Sequence, residues 1–155
     1  MKKILLIYAT HSGSTFVAAQ IMKEILSADF EVVMQNALES KPADIKNYDT
    51  VILGSPSWFS RGEEGMPSET MLKLMDVWGK QNLSNKHFAV YGCGDDSYMT
   101  FCGAVDHLEN FVKNVKGEFI LPSLRLNGFF FDVDKNVEQV KKWAADLKVK
   151  ASAIW

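Results

Sequence analysis

The chain has 155 residues, 47% hydrophobic and 23% charged, enough to bury the core of a single domain spanning residues 1–155. A formal net charge of −2, with the lysines scattered singly or in pairs, leaves no basic stripe for nucleic acid, and no apolar run approaches the roughly 18 residues of a membrane helix. Two cysteines without a Cys-x-x-Cys pair provide neither a disulfide framework nor a zinc site. The apolar run behind Met1-Lys2-Lys3 stops without a signal-peptide cleavage site, so the cytoplasm is the expected compartment.

Taken in order, Ile4-Leu5-Leu6-Ile7-Tyr8-Ala9 is a continuous apolar run suited to a parallel strand buried on both faces. Val17, Ala18, Ile21, Met22, Ile25 and Leu26 then recur at helical spacing. Residues 30–35 read as a second strand, 42–48 as a short helix or turn, and 50–54 as a third strand. Residues 55–67 form a long loop rich in Gly, Ser and Pro. Met71, Leu72, Met75 and Trp78 mark a helix ended by Gly79. Residues 87–92 are a fourth strand and 93–100 a polar loop. Val105, Leu108, Phe111, Val112 and Val115 are the core face of a helix closed by Gly117. Residues 119–126 form a fifth strand, placed at a sheet edge because Pro122 cannot donate to a ladder. Asp134 is positioned to cap a last helix with the stripe Val137, Val140, Trp143, Ala144 and Leu147.

Strands alternating with helices predict an α/β fold, a doubly wound parallel sheet with helices on both faces and a ligand site beyond the carboxyl ends of the strands. Three loops fall at those ends. In the first, the hydroxyls of Thr10, Ser12, Ser14 and Thr15 join the N–H groups and positive dipole end of a new helix, a combination that favours a phosphate. Only Gly13 is present and the next basic residue is Lys23, so neither a nucleoside-triphosphate loop nor a dinucleotide loop fits. A neutral cradle suits a terminal phosphate used as a tether, not one being transferred. The plainer alternative is that Ser12 or Ser14 only caps the helix. The second loop places Trp58 among small polar residues, and the third places Tyr98 after glycines and aspartates. Each ring either stacks on a flat ligand or is an ordinary core-covering or surface side chain. His11, His87 and His107 share no metal-ligand spacing, and Cys93 and Cys102 have no paired base.

The run Leu6-Ile7-Tyr8-Ala9-Thr10-His11-Ser12-Gly13-Ser14-Thr15, with Ala19 further on, resembles the phosphate-loop signature of the flavodoxins. Gly92-Cys93-Gly94-Asp95-Asp96-Ser97-Tyr98 and Phe101-Cys102-Gly103-Ala104-Val105-Asp106 resemble their flavin-ring loop. The resemblance covers essentially the whole chain, and residues 118–132 leave no room for a long insertion, which implies the short-chain type. It implies a five-stranded sheet in the order 2-1-3-4-5, the flavodoxin topology described in general terms for doubly wound folds. It also implies a noncovalently bound FMN cycling between semiquinone and hydroquinone. By the same resemblance Thr10, His11, Ser12, Gly13, Ser14 and Thr15 hold the FMN phosphate, and Trp58 and Tyr98 sandwich the ring. Backbone groups around Ser57 to Ser60, Phe59 included, reach the ribityl chain and N5, those near Asp95, Thr100 and Cys102 reach the pyrimidine edge, and Ser55, Pro56, Cys93, Gly94 and Phe101 complete the implied cofactor-binding set.

The function implied is a low-potential one-electron carrier, not an enzyme. It would serve a reductase donor and an oxidoreductase acceptor docked over the exposed flavin edge, as a monomer. Alternatives are an FMN-dependent quinone reductase, a donor dedicated to one enzyme, or a flavin-free interaction domain of the same fold. Phe59-Ser60 stands where family members commonly carry a glycine whose peptide flips on reduction, so a less stabilised semiquinone is expected. Arg61 near the ring would favour the hydroquinone, against the plainer reading of a solvated loop arginine. An isoelectric point near 5.9 is only mildly acidic. Glu63-Glu64, Asp95-Asp96 and Asp132 to Asp134 either ring the flavin towards a basic partner or are simply solvated.

Overall fold

Alternating apolar and amphipathic segments build a parallel sheet between two pairs of helices in the computed structural model, which describes residues 1–154; Trp155 lies outside the described residues. The strands are β1 (Lys3–Tyr8), β2 (Glu31–Asn36), β3 (Thr50–Pro56), β4 (Trp58–Ser60), β5 (Glu63–Met66), β6 (His87–Gly94), β7 (Glu118–Phe119) and β8 (Leu124–Asn127). The helices are α1 (Ser14–Leu26), α2 (Glu69–Trp78), α3 (Gly103–Asn114) and α4 (Val133–Ile154), with short 3-10 turns at Pro42–Asn47 and Phe129–Phe131. The main sheet runs β2-β1-β3-β6, and β7 and β8 both pair with the outer edge of β6. Counting β7 and β8 as one interrupted strand gives the order 2-1-3-4-5, all parallel.

The period of two along each central strand divides the core. Ile4, Leu6, Ile52, Ala89 and Tyr91 pack on Ala18, Met22 and Leu26 of α1 and Val140, Ala144 and Leu147 of α4. Leu5, Ile7, Val51, Leu53, Phe88 and Val90 pack on Met71, Leu74 and Trp78 of α2 and Val105, Leu108 and Val112 of α3. With both faces covered, the carboxyl ends of β1, β3 and β6 open at one edge, where the three loops emerge.

Four expectations need correction. Residues 55–67 are not an irregular loop: β3 continues to Pro56, and β4 and β5 form an antiparallel hairpin. Its tip is Arg61 (φ 50°) and Gly62 (φ 80°), the positive pair that a tight two-residue turn requires. The fifth strand is split: β7 ends at Phe119, β8 begins at Leu124, and the Pro122 carbonyl between them accepts the Trp143 Nε1–H at 2.9 Å instead of a ladder bond. It does lie at the edge. Asp132, not Asp134, stands at the head of α4, its side chain accepting from Lys135 N at 3.4 Å. At the end of α3, Lys116 (φ 65°) takes the left-handed step instead of Gly117.

Gly54 of β3 is required by a close approach. A Cβ there would lie 2.1 Å from the ring of Tyr91, which is fully buried, and whose hydroxyl donates at 2.8 Å to the Thr15 carbonyl in the first turn of α1. The ring cannot retreat without releasing that contact. Gly54→Ala is expected to cost about 3 kcal/mol and to lower the thermal midpoint by roughly 6–12 °C. Tyr91→Phe, which loses only the hydroxyl, should cost about 1 kcal/mol. Thermal unfolding of the two variants beside the parent checks both figures.

Candidate functional site

The loop after β1 delivers its groups through one left-handed residue. Gly13 (φ 97°) heads α1, and no side chain caps the helix, so the plain reading in which Ser12 or Ser14 is only a cap does not hold. The first helical bond is Val17 N to Gly13 O at 2.9 Å, which leaves the N–H groups of Ser14, Thr15 and Phe16 ahead of the ladder. The four hydroxyls do different work. Thr10 Oγ1 accepts from Gly13 N at 2.9 Å and sets the turn. The Thr15 hydroxyl, fully buried, donates to the Ala9 carbonyl. Ser12 and Ser14 are left facing the cavity.

The second and third loops are locked together. Ser55 donates to the Pro56 carbonyl at 2.9 Å and accepts from Ser68 N at 3.0 Å, bracing the hairpin against the start of α2. Ser57 N donates to the Cys93 carbonyl at 2.9 Å, and Ser57 Oγ accepts from Ala104 N at 3.0 Å, capping α3 from another element. Cys102 heads α3 in the left-handed region (φ 50°), its buried thiol 3.6 Å from the Leu126 carbonyl. Gly65 and Gly103 touch backbone to backbone, which holds β5 on the first turn of α3. In the loop after β6, Asp95 Oδ1 accepts from Ser97 N at 2.9 Å, and Asn127 Nδ2 donates to Asp96 Oδ2 at 2.8 Å. On this rigid base Trp58 and Tyr98 keep 52% and 63% of their surface exposed.

These loops border a cavity of about 620 Å³. Of the residues singled out in the sequence, His11, Ser12, Ser14, Pro56, Ser57, Trp58, Phe59, Cys93, Gly94, Asp95, Tyr98 and Thr100 line it. Thr10, Gly13, Thr15, Ser55, Ser60, Phe101 and Cys102 do not; Thr10, Gly13, Thr15, Ser55 and Cys102 shape the loops from behind, Ser60 is buried in β4, and Phe101 packs against the core. Glu64 of β5, weighed in the sequence as part of an acidic ring, lines the cavity, whereas sequence reasoning missed Gly65 and the segment from Gly128 to Phe131. That segment reaches the site because Gly128 N donates to the Gly94 carbonyl at 2.8 Å, and Asn136 Nδ2 donates to the Asn127 and Asp132 carbonyls at 3.0 and 2.9 Å. A loop at the carboxyl end of the fifth strand carrying Phe129-Phe130-Phe131 was the available signal.

Electrostatics around the cavity are mainly negative. Hydrogen bonds from Ser97 hold the Asp95 carboxyl below its usual range. Arg61 is absent from the lining: its guanidinium is tied to Glu69 at 3.1 Å and Asp76 at 2.8 Å on α2, and that pairing holds the Asp76 carboxyl low. Burial pushes the Cys93 thiol up to about 11, with the Ser14 hydroxyl working the other way, and pushes Cys102 up to about 12. Both are therefore neutral thiols near pH 7 and no nucleophiles. Among the described residues no three His, Cys, Asp or Glu side chains gather into a metal-ligating group. Uncapped helix N–H groups, the Ser12 and Ser14 hydroxyls and two exposed rings in one cavity suit a ligand that has both a phosphate and a flat ring system.

A family model described as Flavodoxin matches residues 6–149. The chain is 39% identical over 128 residues to a probable flavodoxin 2 of Bacillus subtilis, covering 81% of this chain and 82% of that one. It is 30% identical over 153 residues to a flavodoxin of Maridesulfovibrio salexigens, covering 97% and 99%. The crystal structure of oxidised flavodoxin 2 from Bacillus cereus superposes with a TM-score of 0.85 at 32% identity, over 96% of this chain and 99% of that one. Because the match runs from β1 into α4 and takes in all three cavity loops, this chain belongs to the flavodoxin family.

Proposed function

We propose that the FMN of this flavodoxin sits in the cavity formed by the loops after β1, β3 and β6, within a single domain of residues 1–155. As a flavodoxin the chain is an electron-transfer protein, not an enzyme, and passes electrons to redox partner proteins. The observation that carries the assignment is the pairing in one cavity of an uncapped helix start with two exposed aromatic rings. Ser12 and Ser14, with the N–H groups at the head of α1, would hold the phosphate, while Thr10, Gly13 and Thr15 fix the shape of that cradle. Trp58 and Tyr98 would flank the isoalloxazine. Bound FMN supplies reversible one-electron chemistry.

The chain's own residues bias that chemistry. Glu64 and Asp95 place negative charge in the lining, and Arg61 is neutralised on α2 instead of turned towards the ring. Extra negative charge in such a site is poorly compensated, which makes the carrier a strong reductant. Phe59 and Ser60 are both outside the positive-φ region, and Phe59 sits at the irregularity between the Trp58 and Ser60 pairs of the hairpin. A peptide there resists inversion, so the two one-electron steps should lie close together. Partners would dock on the rim, where Phe59, Met99 and Phe131 are exposed beside the acidic groups. The carrier is read as a cytoplasmic monomer; no helix among the described residues is long and apolar enough to cross a membrane.

The test is the visible spectrum of the purified protein, followed by stepwise anaerobic reduction and identification of the released flavin. One FMN per chain and two overlapping one-electron steps are expected. No flavin uptake after addition of FMN, or steady NAD(P)H-to-quinone turnover by the protein alone, would overturn the reading.

A further inference from the structure

Among the described residues His11 is the only one lining the cavity that can carry a positive charge. The loop around it is otherwise neutral, with hydroxyls at Thr10, Ser12, Ser14 and Thr15, and Lys23 is the first basic residue downstream, exposed on α1. A bound phosphate dianion would therefore meet dipoles everywhere except at this imidazole. The ring is also held in place: it stacks on the Trp58 indole with centroids 4.4 Å apart and planes 26° from parallel. It is exposed, so it exchanges protons freely with water.

The other titratable groups sharing the cavity are Glu64 from β5, Cys93 from β6, and Asp95 and Tyr98 from the loop after β6. Burial keeps Cys93, at about 11, neutral across the working range. Of the two acids, Asp95 is held below the usual carboxylate range by hydrogen bonds from Ser97. The first turn of α1 contributes no acid. An imidazole is the side chain that ordinarily gains its charge between about pH 5 and 8. Among the described residues His11 is the one imidazole in the lining, and it is exposed.

We infer that His11 is a positioning residue whose protonation couples phosphate binding to pH. The imidazolium places a cation beside the cofactor phosphate and strengthens its own stack on Trp58 as a cation–π contact, so FMN binds more tightly as the pH falls. The sign follows from linkage. Binding an anion beside the imidazole favours its protonated form, binding takes up a proton, and affinity rises as pH falls through the imidazole range and then levels off. Riboflavin, which lacks the phosphate, gains only the weaker stacking contribution. The inference rests on the FMN reading of the cavity.

The experiment measures dissociation constants of FMN and of riboflavin for full-length apoprotein by flavin fluorescence between pH 5.5 and 8.5, in the parent, His11→Gln and His11→Lys. The FMN phosphate itself loses charge below about pH 6, so the parent-to-variant ratio at each pH is the quantity read. The FMN affinity of the parent is expected to exceed that of His11→Gln about tenfold at the acid end and to fall towards equality with it at the alkaline end. The riboflavin ratio should change little, and His11→Lys should hold high FMN affinity across the range. A His11→Gln variant that follows the parent with FMN at every pH overturns the inference. So does an equal, pH-independent loss for FMN and riboflavin, which would make His11 only a prop for Trp58. A parent that binds no FMN at any pH instead overturns the cavity's assignment.

Discussion

Apoprotein carrying Trp58→Ala or Tyr98→Ala is expected to bind FMN about 5- to 150-fold more weakly than the parent, the range given by roughly 1–3 kcal/mol for stacking a flat ring on one aromatic side chain. The reason is the state of the two rings. Each stands on a braced loop, Trp58 beside the Ser57 bonds to Cys93 and Ala104, and Tyr98 above the Asp95 turn, yet each leaves more than half of its surface in water. A ligand that covers them gains apolar burial without an ordering cost, because the loops are already fixed. Trp58 offers the larger face and should show the larger loss. The double variant should lose less than the product of the two single losses if a ring left on one side lets the flavin tilt. Neither side chain supports the core, so the stability of the apoprotein should stay within about 0.5 kcal/mol of the parent's. Fluorescence titration with FMN and riboflavin, beside thermal unfolding, makes the check. Equal losses for the two ligands mark a ring contact, and parent-like affinity in both single variants would remove Trp58 and Tyr98 from the site.

The parts of this site that were legible in the sequence are those written in local pattern. Six apolar residues, a hydroxyl-rich turn and a helical stripe define β1, its loop and α1 with no knowledge of the rest of the chain. What was not legible depends on partners far away. The Thr10 and Thr15 hydroxyls look identical to those of Ser12 and Ser14 in the sequence, but one accepts from Gly13 N and the other donates to the Ala9 carbonyl. The β4–β5 hairpin is hidden in Ser57-Trp58-Phe59-Ser60-Arg61-Gly62-Glu63-Glu64-Gly65, whose short strands and irregular register break the alternation that announces a strand. Phe129 to Phe131 fall in the sequence between the fifth strand and the last helix with no pattern of their own; the Gly128–Gly94 bond, across more than thirty residues, and the Asn136 bonds turn them into a wall of the cavity. Pro122 was read correctly as an edge marker, while the interruption it makes depends on Trp143 of α4 being there to take its carbonyl.

Gly103→Ala should damage the site more broadly than the loss of either ring, although Gly103 lies outside the cavity lining. A Cβ at Gly103 would stand 2.5 Å from the Gly65 carbonyl oxygen and 3.0 Å from the Gly65 Cα, and both atoms are backbone with no rotamer to yield. Relief requires β5 to move off the first turn of α3. That movement strains the neighbouring bond from Ala104 N to Ser57 Oγ, the cross-loop cap of a helix whose own head residue, Cys102, offers none. The overpacking and the weakened cap together should cost about 2–3 kcal/mol, a fall of roughly 4–12 °C in the thermal midpoint. Because the same contact sets the spacing of the Trp58 hairpin from the Tyr98 loop, FMN affinity should fall with it, and saturating FMN should stabilise the variant less than the parent. Gly62→Ala is the control. It lies at the hairpin tip with φ 80° and open space around it, so it carries backbone strain of about 1 kcal/mol but no clash. It should leave FMN affinity unchanged. Thermal unfolding with and without FMN, and the dissociation constants of both variants, decide the matter. A Gly103→Ala protein that binds FMN within about twofold of the parent, a difference of some 0.4 kcal/mol, would show that the Gly65 contact supports the fold without setting the spacing of the rings.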